Sequence, residues 1–138
     1  MRASLAEVLR RRGDLAGARE CYLAYARWAR AHGRRRELVG TLANLVMLSE
    51  LGRDRARLAG DLEALVAERP PDEPVWGPLV DLVRLRLVFE SGDREELTRR
   101  WPDLAAAVEA DPDFTPIADR LLADVRSRGW DQGPESLR

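Results

Sequence analysis

The sequence contains no lysine; all 23 of its basic residues are arginine. GC-rich codon usage explains that bias most simply. Arginine ion-pair networks suited to high temperature are a second reading. Cys21 is the one cysteine, so no disulfide can form within the chain and nothing requires an oxidising compartment. His32 is the one histidine, which removes most histidine-based acid–base and metal chemistry. No run of about 18 apolar residues is available for a transmembrane helix, and the N-terminus lacks the apolar centre of a secretory signal. A cytoplasmic protein with no membrane partner is the expectation. No segment alternates polar and apolar residues for long enough to make a half-buried strand.

What is present is helical pattern. Of 138 residues, 45% are hydrophobic and 34% charged, a globular balance that supports one core, and the pattern implies a single domain over residues 1–129. The net charge of −1 gives no general attraction to nucleic acid. Seven helices are predicted, at about 4–12, 14–31, 35–51, 54–68, 75–91, 93–110 and 116–128. The fifth reads V-W-G-P-L-V-D-L-V-R-L-R-L-V-F-E-S and is apolar on every side, so it belongs in the middle of the assembly. In the sixth, the stripe Leu97, Trp101, Leu104 and Val108 runs across Pro102, which implies one kinked helix. Residues 130–138 read as a frayed tail.

Punctuation recurs at a fixed interval. Gly13, Gly52, Gly92 and Gly129 end helical patterns at spacings of 39, 40 and 37 residues. An aspartate follows each within two residues: Asp14, Asp54, Asp93 and Asp131. Glycine ends a helix in the left-handed conformation and aspartate caps the next, so tight helix–helix turns are expected there. Prolines alternate with these turns in Pro71-Asp72-Glu73-Pro74 and Pro112-Asp113-Phe114-Thr115-Pro116. Proline after a polar cap is a helix start, and Thr115-Pro116 fits it best.

Helix pairs of about 40 residues describe an all-α solenoid of about three antiparallel pairs plus a terminal helix. Leu5, Ala6, Gly13, Asp14, Ala18 and Tyr22 fall where the tetratricopeptide (TPR) repeat places its helix-A leucine and small residue, turn glycine, helix-B small residue and aromatic. Pro70 and Pro112 lie near that repeat's terminal proline. Over most of its length the chain therefore resembles the TPR-like helical-repeat family. Leu45 and Leu85 replace the small helix-A residue, and Arg57 and Leu97 the small helix-B residue. The period exceeds the usual ~34 and approaches that of HEAT-like repeats. Long-period variants of this kind resemble those of large bacterial signal-responsive regulators.

The resemblance implies a right-handed stack that binds a protein or peptide as a scaffold or sensor module of a regulatory or assembly protein. It would use a concave face lined by the first helix of each pair. Carried over position by position, that lining is Glu7, Arg10 and Arg11; Leu42, Val46 and Ser49; and Leu82, Arg86 and Phe89. Arg86 sits within an apolar helix and must reach water, a carboxylate or a ligand. Asp81 is one possible partner.

Two arginine triplets remain. Arg10-Arg11-Arg12 ends a helix, where the dipole favours cations. Arg34-Arg35-Arg36 begins one, where it does not. The second is either a solvated turn or a functional end, and a nucleic-acid-binding role for that end is the alternative to protein binding. Cys21 and His32 share a face with Tyr25 and Trp28, where core packing outweighs thiol reactivity. Asp111 and Asp113 lack the glycine-containing loop that calcium needs, and Glu95-Glu96 lies where a helix dipole favours carboxylates. No nucleophile elbow, phosphate-cradling loop or multi-ligand metal cluster is legible. Enzyme activity, a cofactor and a bound metal are not expected. The first helix is too short to cover both stripes of the second, and the last has no partner helix. Apolar ends that pair in a homodimer, or dock on the rest of a longer chain, are expected.

Overall fold

The structure, a computed structural model, describes residues 2–131, with side chains from residue 5 onward. Among the described residues the chain is all-helical, with eight α-helices, one short 3-10 turn and no strand. No described helix is long and apolar enough to cross a membrane. The chain divides into two compact units, Met1–Asp72 and Glu73–Arg138.

The first unit holds α1 (Arg2–Arg11), α2 (Leu15–Ala31), α3 (Arg35–Leu51) and α4 (Arg55–Glu68), each packed on the next in order. Ala18, Tyr22, Ala26 and Ala29 make the buried stripe of α2. Its small residues at helical spacing let a neighbouring backbone come close. α3 packs against both α2 and α4 and is buried on most sides, through Leu38, Val39, Leu42, Ala43, Leu45, Val46 and Leu48. α4 is amphipathic and buries Leu58, Leu62 and Leu65.

The turns of this unit share one construction. Gly13, Gly33 and Arg53 take the left-handed conformation, twenty residues apart, with φ of 83°, 64° and 55°. After each, the next backbone N–H closes a bond to the carbonyl five residues back: Asp14 to Leu9 at 2.9 Å, Arg34 to Ala29 at 2.8 Å, and Asp54 to Ser49 at 3.0 Å. That bond satisfies a carbonyl the helix end would leave open. Asp14 then accepts from Gly17 N and Asp54 from Arg57 N, the expected N-caps.

Two expectations about these turns change. Gly33 is a left-handed turn residue that the 40-residue spacing passes over. Gly52 is not one: its φ is −78° and Arg53 takes the strained position. What glycine at 52 provides is space rather than a backbone angle. A Cβ there would lie 3.3 Å from Leu15 Cδ1 and 3.4 Å from the Leu48 carbonyl oxygen.

The second unit holds α5 (Gly77–Glu90), α6 (Arg94–Arg100), α7 (Pro102–Ala110), the 3-10 turn Pro112–Phe114, and α8 (Thr115–Ser127). α5 begins at Gly77, with Pro78 in its first turn, rather than at Val75. The Glu73 carboxylate organises the approach by accepting the Val75 and Trp76 N–H groups. Within the second unit α5 is the central core element: Val83 and Leu85 are 0% and 1% exposed. Leu85 and Phe89 join Leu97, Leu121 and Val125 in one cluster, with Val88, Trp101, Leu104 and Trp130 against it.

The kinked helix expected across Pro102 is two helices. Proline has no N–H to continue the ladder, so α6 ends at Arg100 and α7 begins at Pro102. Trp101 between them keeps helical angles (φ −56°, ψ −35°), which holds Leu97, Trp101 and Leu104 on one cluster. Asp93 caps α6 through Glu96 N, and Asp111 caps the 3-10 turn through Asp113 N. Thr115 is the first residue of α8 rather than its side-chain cap, and its hydroxyl donates to the Pro112 carbonyl.

Trp130 is not frayed. Gly129 turns the chain at φ 80°, Trp130 N donates to the Val125 carbonyl at 3.1 Å, and the indole stands edge-on to Phe89 at 5.2 Å. Arg128 lies over both rings. This end of the core therefore has a cover that the helix pattern alone did not supply. The remainder of the expected tail, 132–138, lies outside the described residues.

Candidate functional site

Within each unit, most of the expected lining is enclosed. Leu42, Val46, Leu82 and Phe89 are buried in their helices' packed sides, and Ser49 is 4% exposed. A solenoid groove needs its lining in solvent, so these five are core residues. The apolar character of Leu42, Val46, Leu82 and Phe89 is the same whether a position faces a groove or a neighbouring helix, so pattern alone does not separate the two.

Ser49 belongs to a polar network that the sequence did not reveal. Its hydroxyl donates to Asp61 Oδ2 at 2.5 Å. Arg19 reaches the same carboxylate with two guanidinium bonds, 2.8 and 3.0 Å, and donates to Ser49 Oγ at 3.3 Å. The network joins α2, α3 and α4. The Asp61 hydrogen bond, ahead of opposing burial, raises the Arg19 pKa above its ordinary value. A legible signal existed: Asp61 stands next to Leu62 and three residues after Leu58, at the edge of the buried stripe.

Arg86 is likewise structural in its setting. It is 6% exposed, donates to Asp124 Oδ2 on α8 at 2.7 Å, and lies 3.5 Å from Glu90 Oε1. Of the three fates open to it in the sequence, water, a carboxylate or a ligand, it finds carboxylates. Asp124 supplies the short bond.

On α1, Glu7 is a hub. It accepts from Arg10 Nε at 3.1 Å, lies 3.4 Å from Arg11 Nε, and receives the Tyr22 hydroxyl at 3.5 Å. The Arg10 hydrogen bond, partly opposed by desolvation, lowers the Glu7 pKa below its ordinary 4.5. Burial is the main cause that raises the Tyr22 pKa above 10.0. Beside this charged cluster Leu5 and Val8 are 51% and 43% exposed. They are one helical turn apart and form an apolar strip on α1.

The Arg34–Arg36 end is where an open cleft is found. A cavity of about 250 Å³ is lined by Ala29, Arg30, Gly33, Arg34, Arg35, Leu38 and Glu68. Arg30 and Arg34–Arg36 are all exposed. Arg30 Nη2 lies 3.4 Å from the Glu68 carboxylate, and Arg35 Nη2 donates to the Glu68 backbone carbonyl at 3.4 Å. Arg34 stands 5.8 Å from the Trp28 ring centroid. That ring is part of a ladder on α2: Tyr25 to Trp28 at 5.5 Å and Trp28 to His32 at 4.8 Å. His32 Nδ1 donates to the Trp28 carbonyl at 2.8 Å, since a carbonyl can only accept. The face shared by Tyr25, Trp28 and His32 was legible. The convergence of Arg30, four residues before Arg34, and of Glu68 from α4 was not.

Among the described residues, no group of three or more histidine, cysteine, aspartate or glutamate side chains could hold a metal ion. No family model, curated protein or solved structure matches this chain.

Proposed function

We propose that the chain is a TPR-like helical-repeat module that binds a protein or peptide, as the scaffold or sensor portion of a bacterial regulatory or assembly protein. The observation that supports this reading is the repeated turn. Three successive junctions at Gly13, Gly33 and Arg53 use the same left-handed conformation and the same backbone closure, twenty residues apart. Helix and turn thus form a unit of constant length, and two such units make the ~40-residue pair of a long-period α-solenoid.

With Leu42, Val46, Ser49, Leu82, Arg86 and Phe89 enclosed, recognition falls to surfaces that remain open. On α1 these are Leu5 and Val8, with Glu7, Arg10 and Arg11 beside them. An apolar strip beside fixed charges suits a partner that brings its own apolar anchors and an acidic rim.

The test compares captures. The wild-type chain and a Leu5→Asp/Val8→Asp variant, each shown to be folded by its thermal transition, are used to isolate partners from the source cells. The expected result is a defined protein retained by the wild type and lost by the variant. Identical captures from both would remove α1 from the reading. No specific capture by either would overturn the binding function itself.

A further inference from the structure

We infer that the cleft between the end of α2 and the start of α3 is a site for a single phosphate group carried on a peptide. This rests on the reading of the chain as a peptide-binding module and specifies the chemistry of what it binds.

Three arginines line one small cavity, Arg30, Arg34 and Arg35, and two of their guanidinium groups reach Glu68 in its wall. A guanidinium presents five N–H donors in a planar fork that matches phosphate oxygens two at a time. The contacts described above engage one nitrogen of Arg30 and one of Arg35, both with Glu68, while Arg34 is held against the Trp28 face. The three cations are therefore kept near the cleft by single weak contacts. They carry more donor capacity than those contacts use. Leu38 and Ala29 form its apolar floor, which strengthens a charged contact made above it.

Charge count favours an anion. The lining holds three arginines against Glu68. Glu37 is the one acidic residue in the first turn of α3, and Arg36 stands beside it. A phosphorylated serine or threonine carries close to two negative charges and three acceptor oxygens, enough to bridge two guanidinium groups at once. A nucleic acid fits less well. Its affinity comes from neutralising many phosphates along a track, whereas this is one compact cavity with a carboxylate in its wall, in a chain of net charge −1.

The full chain is titrated with O-phosphoserine and followed by amide chemical shifts. It is then assayed against a fluorescent peptide library with a fixed phosphoserine and against the same library with serine. Shifts confined to residues around 30, 33–35, 38 and 68, and a preference of about tenfold for the phosphorylated library, are expected. An Arg34→Ala/Arg35→Ala variant with an unchanged thermal transition should lose that preference while retaining whatever the Leu5–Val8 strip binds. Equal binding of the two libraries, or no shift at the cleft, overturns the inference and leaves the α1-dependent capture standing. Tighter binding of a single-stranded oligonucleotide than of the phosphopeptides, abolished by the same variant, overturns it in favour of nucleic acid.

Discussion

The Arg86 guanidinium on α5 donates to the Asp124 carboxylate on α8 at 2.7 Å, with the arginine buried and the carboxylate partly so. Glu90, one turn along the same helix, lies 3.5 Å from the same nitrogen. The arrangement cross-links two helices through a charge that has left water. A buried pair of this kind contributes little relative to apolar packing, yet removing one partner is costly. Asp124→Ala should therefore destabilise the chain by about 2–4 kcal/mol, with Glu90 limiting the loss. Arg86→Met, which removes the charge and keeps the volume, should cost less. Urea denaturation of the two variants checks the order. An Asp124→Ala cost no greater than that of Arg86→Met would show that the ion is not confined as the geometry implies.

Leu85 lies at the centre of the cluster with Phe89, Leu97, Leu121 and Val125. Truncation there removes transfer energy and leaves a cavity. Leu85→Ala should cost about 2–5 kcal/mol in chemical denaturation. A loss below about half a kcal/mol would place the core elsewhere.

These two residues mark what the sequence did and did not make legible. Leu85 was readable because a helix apolar on every side has no other place to be. Its central burial follows from composition and period, which are local. Arg86, its neighbour, was readable as constrained but not as satisfied, because Asp124 is 38 residues away and the pairing depends on how α8 lies on α5. The same distinction separates Asp14, Asp54 and Asp93, whose capping depends on three residues of chain, from Asp61, whose role depends on α2 approaching α4. Among the site residues, the Arg34–Arg36 run was visible as charge at the wrong end of a helix. Its cleft was not, since Arg30 and Glu68 enter through tertiary packing. The apolar groove positions failed for a further reason: period reports which residues share a face and not what covers it.

Glu7 and Tyr22 predict opposite pH limits for the first unit. The Glu7 pKa lies below 4.5 in the folded chain, chiefly through the Arg10 hydrogen bond. Between the two values the unfolded chain binds more protons, so stability falls as pH drops from 4.5 through the lowered value. Wild type and Glu7→Gln should differ in urea midpoint near neutrality and converge in acid. Tyr22 behaves conversely. Its pKa is raised above 10.0 by burial, so the folded chain keeps the proton that the unfolded chain releases, and stability falls as pH climbs past 10.0. Ultraviolet titration should show a phenol that ionises late, and Tyr22→Phe should remove both that signal and its share of the alkaline slope. A Tyr22 that titrates at its ordinary value would mean that α1 does not seal it.

The last prediction concerns the inverted order of Gly52 and Arg53. In the turns at Gly13 and Gly33 the glycine itself takes positive φ, whereas here Arg53 does so at 55°. A side chain in that conformation costs about 1 kcal/mol or more relative to glycine. Arg53 is exposed, and surface contacts of an arginine return little. Arg53→Gly should thus leave stability unchanged or raise it by up to about 1 kcal/mol. Gly13→Ala meets no neighbour within 4 Å but forces alanine to φ 83°, and should lose about 1–2 kcal/mol. Gly52→Ala tests the other cause. Its backbone at φ −78° accepts alanine freely, and the new methyl presses on Leu15 Cδ1 at 3.3 Å, the end of a side chain that can rotate away. A loss smaller than that of Gly13→Ala is expected from thermal denaturation. A larger one would mean that Leu15 cannot move aside and that the close approach of α2 requires glycine at this junction.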